Sequence, residues 1–329
     1  LPDLRGEIRS FPNLPDRGFE DTHWGSIMRN LGFKSLLGAG VLALALSCQA
    51  LAADLPVKAA PAPATPDFDI AFGGGVMSDY IFRGITQSNH GPSATAYFEP
   101  RYKEFYIGIA GSSIDWPSDA SHGLNSPSAE VDLYGGWRPT VGKWSFDFGY
   151  IYYLYPNTIS PANGGYTSDF GEVYAKATYA VTDALAIGAA VYYTPNILNY
   201  GGDATYYEFN AKYTIPSNYF AKNWGGYISG AWGHWSVEGG TFPNVNGTTA
   251  LAPIPSYSTW NIGGGITYKV FTLDLRYSDT DLNKSAQPFP TTSSGSCQAF
   301  WNGGPGTSGW CRGAFSAKLT FDVLASALK

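Results

Sequence analysis

The stretch WSFDFGYIYYL, Trp144 to Leu154, places Trp144, Phe146, Phe148, Tyr150 and Tyr152 at every second position. A period of two belongs to a strand with unlike faces, because successive side chains point to opposite sides of a sheet. The rule extends along the chain. In FTLDLRY, Phe271, Leu273, Leu275 and Tyr277 alternate with Thr272, Asp274 and Arg276. Near the C-terminus Phe315, Ala317, Leu319, Phe321 and Val323 alternate with Ser316, Lys318, Thr320 and Asp322. One face is apolar and the other carries charge.

Applied from Phe68 onward, this pattern predicts strands near 68–83, 94–102, 105–115, 129–138, 143–155, 169–180, 184–194, 203–214, 225–236, 258–269, 271–280 and 313–323, about twelve in all. The links between them alternate in length. Lys103-Glu104, 139–143, 181–183, the PSNYFAKNW stretch and the turn at Val270 are short, while 84–93, 116–128, 156–168, 195–202, 237–257 and 281–312 are longer and rich in Gly, Pro, Ser, Asn and Thr. Strand ends that alternately meet tight turns and long loops are the signature of an antiparallel up-and-down transmembrane barrel, with short periplasmic turns and longer external loops.

Composition agrees with a surface unlike that of a soluble domain. Only 14% of the 329 residues are charged, against roughly 25% in ordinary globular chains. The net charge of -6 and the lack of a Lys/Arg run argue against nucleic acid as a partner. Met28 opens an export signal: Arg29 and Lys34 are the positive start, Ser35 to Ser47 the apolar centre, and Ala50-Leu51-Ala52 the cleavage site. The 27 residues before Met28 are read as an extension outside the fold. Cleavage after Ala52 is expected over lipidation of Cys48, which lacks Leu three residues upstream. The organisation is therefore 1–27 extension, 28–52 signal peptide, 53–67 a Pro/Ala-rich periplasmic tether, and 68–329 the barrel. No apolar run outside the signal approaches the roughly 20 residues of a membrane helix.

A soluble sandwich would turn its apolar residues inward, and a membrane barrel turns them outward to lipid. Export, strand lengths that suit a tilted crossing, and aromatics near strand ends (Trp116, Trp137, Trp144, Tyr152, Tyr155, Trp260, Tyr277) favour the membrane version in the bacterial outer membrane. Parity counted from Phe68 sends Tyr80 and Phe82 to lipid and Asp69, Asp79 and Arg83 to the lumen. Glu99, Arg101, Glu130, Asp132, Arg138, Asp147, Glu172, Lys176, Glu208, Lys212, Lys269, Asp274, Arg276, Lys318 and Asp322 join them by the same count. These charges of both signs either pair across the lumen as structural bonds or line a water-filled constriction that sets selectivity.

The run SDYIFRGITQSNHGPS, with EVDLYGGW, YIYYLYP and SDFGEVYAKATY, resembles the proteobacterial TorF-type porins, also called the Gcw_chp family, over most of residues 68–323. Its specific part is the S-D-Y-x-F-R-G element. The resemblance implies an outer-membrane barrel and a porin-like role, with no particular substrate. The Pro/Ala tether, the long Cys-bearing final loop and the tail DVLASALK depart from the family's compact form. A terminal aromatic commonly serves the barrel assembly machinery, so recognition by that machinery is expected to rest on Phe321.

Chemistry-bearing motifs are sparse. Of the histidines after the signal, His90 and His122 fall in predicted loops and His234 near a strand end. No metal-ligand spacing, nucleophile elbow, phosphate loop or dinucleotide fingerprint occurs, so neither an enzyme nor a cofactor is expected. A membrane hydrolase would need a Ser/His pair at the lipid boundary, for which His234 is the candidate. Asp279, Asp281 and Asn283 offer oxygens at calcium-loop spacing, but Lys284 stands where Gly and Pro290 where Glu are required. Cys297 and Cys311, the two cysteines left after export, are expected to pair. The function expected is passive diffusion of small hydrophilic solutes, with a mild cation preference. The alternative is a closed structural or surface-binding barrel. Partners expected are outer-membrane lipid and lipopolysaccharide. A homo-oligomer stays open, with no segment marking a subunit face.

Overall fold

The computed structural model describes residues 66–116, 127–156, 167–199, 201–240, 254–282 and 309–328. The chain divides at Leu37/Gly38 into two units, and all of these residues belong to the second. The signal at 28–52, Cys48, nearly all of the tether, His122, Cys297 and Asn283 lie outside the described residues.

Twelve antiparallel strands close into a barrel. They are β1 (Phe68–Met77), β4 (Ser93–Tyr102), β5 (Phe105–Ser113), β6 (Ala129–Trp137), β8 (Trp144–Leu154), β9 (Phe170–Ala180), β10 (Leu185–Thr194), β11 (Gly202–Ile215), β12 (Trp224–Gly239), β13 (Tyr257–Tyr268), β14 (Phe271–Thr280) and β15 (Ala314–Leu324). β1 closes the ring by pairing with β4 on one side and β15 on the other, so that Phe72 faces both Phe98 and Val323. Three two-residue strands stand apart from the ring count. β7 (Thr140–Val141) extends one short turn along β8, and β2 (Ile81–Phe82) pairs with β3 (Ile85–Thr86) in a sheet of its own.

The sidedness is the reverse of a soluble protein's. Val76, Ile107, Ile228, Ile262 and Leu275 are 57–67% exposed, whereas Glu99 and Glu172 are 0% and Glu130 and Asp132 3% exposed. Period two places all of the first set on the outer face and all of the second in the bore. A continuous apolar band of this extent is far larger than a water-facing monomer exposes. Aromatic rings stack along both margins: Phe105, Trp137 and Phe148, Trp144 with Tyr179, and Trp224 with Tyr268 toward the short-turn end. Toward the long-loop end, Tyr207 meets Trp232 and Tyr277 lies between Trp260 and Phe315.

Three sequence expectations need correction here. The first strand ends at Met77, not at residue 83. Ser78 makes one more rung, donating its N–H to Ala317 O and accepting from Ala317 N–H at Oγ, both at 2.9 Å, and the chain then leaves the wall. Trp116 and Tyr155 are not in the outer girdle. They lie just past strand ends that turn inward, their rings 4.3 Å apart, and Tyr155 is 5% exposed. Lys269, expected in the bore, sits in the tight turn between β13 and β14 with φ 54°.

Candidate functional site

The chain from 78 to 92 folds into the bore instead of continuing the wall. Its core is the β2–β3 hairpin, with Ile81 opposite Thr86 and Phe82 opposite Ile85. Arg83 and Gly84 form the tip at φ 48° and 82°. Two successive positive φ values define the primed turn that suits a two-residue hairpin. Glycine accepts this at the second position, while arginine at the first is strained and needs compensation from contacts. Gly84 is required on a second count. A Cβ there would lie 2.3 Å from Thr259 Oγ1 and 2.5 Å from Thr280 Cγ2, because the tip presses against β13 and β14.

Asp79 holds the loop together rather than facing the lumen from a wall. Its Oδ1 accepts the Thr86 hydroxyl at 2.6 Å and its Oδ2 accepts His90 Nδ1–H at 2.8 Å. The other imidazole nitrogen lies 3.2 Å from the Gly309 carbonyl. Only a protonated ring donates to both acceptors, and the hydrogen bond to Asp79 raises the His90 pKa above its ordinary 6.5. From the rim, Gln87 accepts from Trp116 Nε1 at 2.8 Å, and Thr86 N–H donates to Trp310 O at 2.9 Å.

Arg83 reaches across the bore. Nη1 and Nη2 donate to the two carboxylate oxygens of Glu172 at 2.9 and 2.7 Å, and Tyr153 Oη donates to the same carboxylate at 3.0 Å. The guanidinium carbon lies 4.7, 5.0, 4.3 and 4.5 Å from the rings of Phe82, Tyr192, Tyr206 and Trp235. Arg83 is 2% and Glu172 0% exposed, so the pair has no water to screen it. Tyr80, expected to meet lipid, is 1% exposed and donates to Glu130 Oε1. Phe82 likewise points inward, edge-on to Tyr153 and Trp235. The parity count failed for these two because the chain leaves the wall after Ser78, before they are reached.

The hairpin thus touches the barrel from β6 round to β14. A barrel of eight strands has room only for its own side chains, and sixteen leave an open channel. Twelve leave space for an inserted hairpin, and the hairpin takes it. Beside it remains a cavity of about 40 Å³ bordered by Asp274, Arg276 and Lys318, room for a few waters and no more.

Several other expected lumen residues form two further groups. Toward the short turns, Glu99 binds Arg101 at 2.5 Å and Arg138 at 2.9 Å, while Asp147 binds Arg138 at 3.3 Å and Lys176 at 3.6 Å. Arg138 lies 3.4 Å from the Tyr106 ring centre. On the far wall Arg276 binds Asp274 at 3.0 Å and also donates to Asn261 and Ser229. Asp132 is buried near Glu130, and its Oδ1 has no hydrogen-bond partner among the described residues. The sequence count missed Tyr192, Tyr206, Trp235 and Gly84. Tyr206 shared the parity of Glu208 and Lys212, a signal that was present.

Among the described residues no three His, Cys, Asp or Glu side chains converge as a metal site. Asp279 accepts Thr280 N–H and Asp281 accepts Ser258 N–H, each engaged with its own backbone surroundings. His234 lies on the outer face with Nδ1 3.0 Å from Ser258 Oγ and its ring beside Tyr207. Among the described residues no carboxylate bonds its other nitrogen. Cys311 is fully buried and its carbonyl accepts the Thr280 hydroxyl at 3.0 Å.

Residues 61–300 match the family model described as "Bacterial protein of unknown function (Gcw_chp)". No curated protein matches the chain in sequence. Among solved structures, it is similar to LpxR from Salmonella typhimurium (8% identity, TM-score 0.42, covering 76% of this chain and 99% of that one). It is similar also to the Pseudomonas putida toluene transporter TodX (9%, 0.35, 79% and 89%) and to OmpT, an outer membrane protein of Vibrio cholerae (10%, 0.31, 78% and 98%).

Proposed function

The chain belongs to the bacterial Gcw_chp family, and from its geometry we propose an outer-membrane channel for small hydrophilic solutes, closed here by the hairpin at 78–92. The observation that carries this reading is the way the bore is blocked. The obstruction is a loop rather than a wall strand, held to the wall by one ion pair, several hydrogen bonds and the apolar contacts of Tyr80, Phe82 and Ile85. Such an element can leave as a unit, because water can take over every polar contact that it gives up. Behind it the wall stays lined with paired charges, including Glu99, Arg101, Arg138, Asp274 and Arg276.

Several companion assignments belong to the same reading. The signal at 28–52 exports the chain, the barrel assembly machinery inserts it, and the apolar band contacts lipid and lipopolysaccharide. The short turns face the periplasm and the long loops face outward. Cys297 and Cys311 pair in the final loop; the burial of Cys311 supports this, and alkylation followed by mass measurement with and without reductant checks it.

A second reading, a non-transporting barrel, draws support from the buried Arg83–Glu172 pair, which would serve equally well as a permanent brace. Liposome swelling separates the two. Vesicles carrying the purified protein should swell in small neutral solutes faster than protein-free vesicles, and an identical rate would favour the brace.

A further inference from the structure

We propose that the pocket now filled by Arg83 is a binding site for guanidinium-bearing solutes, with Arg83 acting as a built-in occupant that such a solute displaces. This rests on the channel reading above and gives it a solute class. The first ground is the wall itself. Glu172 presents two oxygens in the plane that a guanidinium fork requires, and its orientation is fixed by the Tyr153 hydroxyl. Three wall rings, Tyr192, Tyr206 and Trp235, surround the same point at 4.3–5.0 Å. A carboxylate and aromatic faces around one spot select a flat organic cation over a compact, strongly hydrated ammonium or metal ion.

The second ground is that Arg83 satisfies this pocket incompletely. Trp235 Nε1 and Tyr257 Oη are buried polar atoms with no hydrogen-bond partner among the described residues, and the two rings pack 5.9 Å apart. Arginine's side chain holds donors only and can offer the Trp235 N–H nothing. A free solute with an acceptor atom near its guanidinium can satisfy both. The third ground is the tip's backbone. Arg83 sits at φ 48°, an unfavourable conformation for a side-chain-bearing residue. Releasing the tip relieves that conformation, which lowers the barrier to exchange between the internal occupant and a solute.

The pocket thus couples recognition to opening. A solute that takes Glu172 from Arg83 removes the only ion pair that the hairpin makes with the wall among the described residues, and the hairpin then swings from the bore.

The test measures binding, not flux, so that it stands apart from the channel reading. By titration calorimetry in detergent, Arg83→Ala should bind L-arginine saturably and at least tenfold more tightly than L-lysine. Arg83→Ala/Glu172→Gln should lose at least tenfold of that affinity. In the unmodified protein, L-arginine should speed amide hydrogen exchange over 79–88 while L-lysine leaves it unchanged, a measurement that does not depend on any variant folding. Equal affinity for the two amino acids, no saturable binding to Arg83→Ala, or exchange over 79–88 that ignores L-arginine would each overturn the proposal. A silent channel with positive binding would refute transport and leave the site standing.

Discussion

Arg83 is where the largest single energies of the closed bore meet. Removing one member of a buried ion pair leaves the other charge uncompensated, at a cost of about 3–5 kcal/mol. Arg83→Ala and Glu172→Gln should therefore each destabilise the barrel by roughly that amount, read from urea unfolding in detergent. The double variant should lose much less than the sum, and additive losses would show that the pair does not act as one. Gly84→Ala should cost about 1–2 kcal/mol from the left-handed backbone alone, with the clash against Thr259 and Thr280 added. It should also raise exchange over the hairpin while leaving the strands protected. His90 makes the loop pH-sensitive. Its pKa is raised by the hydrogen bond to Asp79, with Arg312 opposing, so its contribution is fully present below the ordinary 6.5 and is lost as pH rises through the shifted value. Hairpin protection, taken relative to the intrinsic base-catalysed exchange, should accordingly fall on alkalinisation above that range, and His90→Gln should abolish that fall.

At the scale of elements, the wall was legible in the sequence and the hairpin was not. Eleven of the expected strands lie within three residues of those observed, because period two over nine or more residues is a statement about both faces at once. The stretch after Met77 misled for a physical reason. Tyr80, Phe82, Asp79 and Arg83 alternate as a wall strand would, yet alternation reports only extended backbone, and the hairpin is also extended. β1 ends where the chain leaves the wall after Ser78, and the Arg83–Gly84 turn that then reverses it is a short-range signal that Arg in place of the usual Asn conceals. Among the site residues, Glu99, Glu130, Asp132, Glu172, Asp274 and Arg276 lie in the bore as parity required. Which of them meet could not be read, since partners such as Arg83 and Glu172 are 89 residues apart. Because the ring closes without β2 and β3, replacing 79–90 with a Gly/Ser linker should leave barrel folding intact. Unchanged heat-modifiable gel mobility would check this, and loss of the folded band would mean the hairpin is part of the structural core.

For the whole molecule, the apolar band fixes what surrounds it. A charge placed in its middle, as in Ile228→Arg, should cost about 2–4 kcal/mol if the band meets lipid. Measured by unfolding in bilayers, a loss near zero would mean that the face is wet. The net charge of -6 and the carboxylates of the bore predict mild cation preference, visible as the sign of the reversal potential in a salt gradient. In the proposed reading the barrel, the polar wall and the inserted loop come together in a single property, an aqueous path occupied by the hairpin. Single-channel conductance of the unmodified protein against the variant lacking 79–90 tests this most directly: a several-fold larger and steadily open conductance in the variant is the result predicted, and equal or absent conductance in both would contradict it.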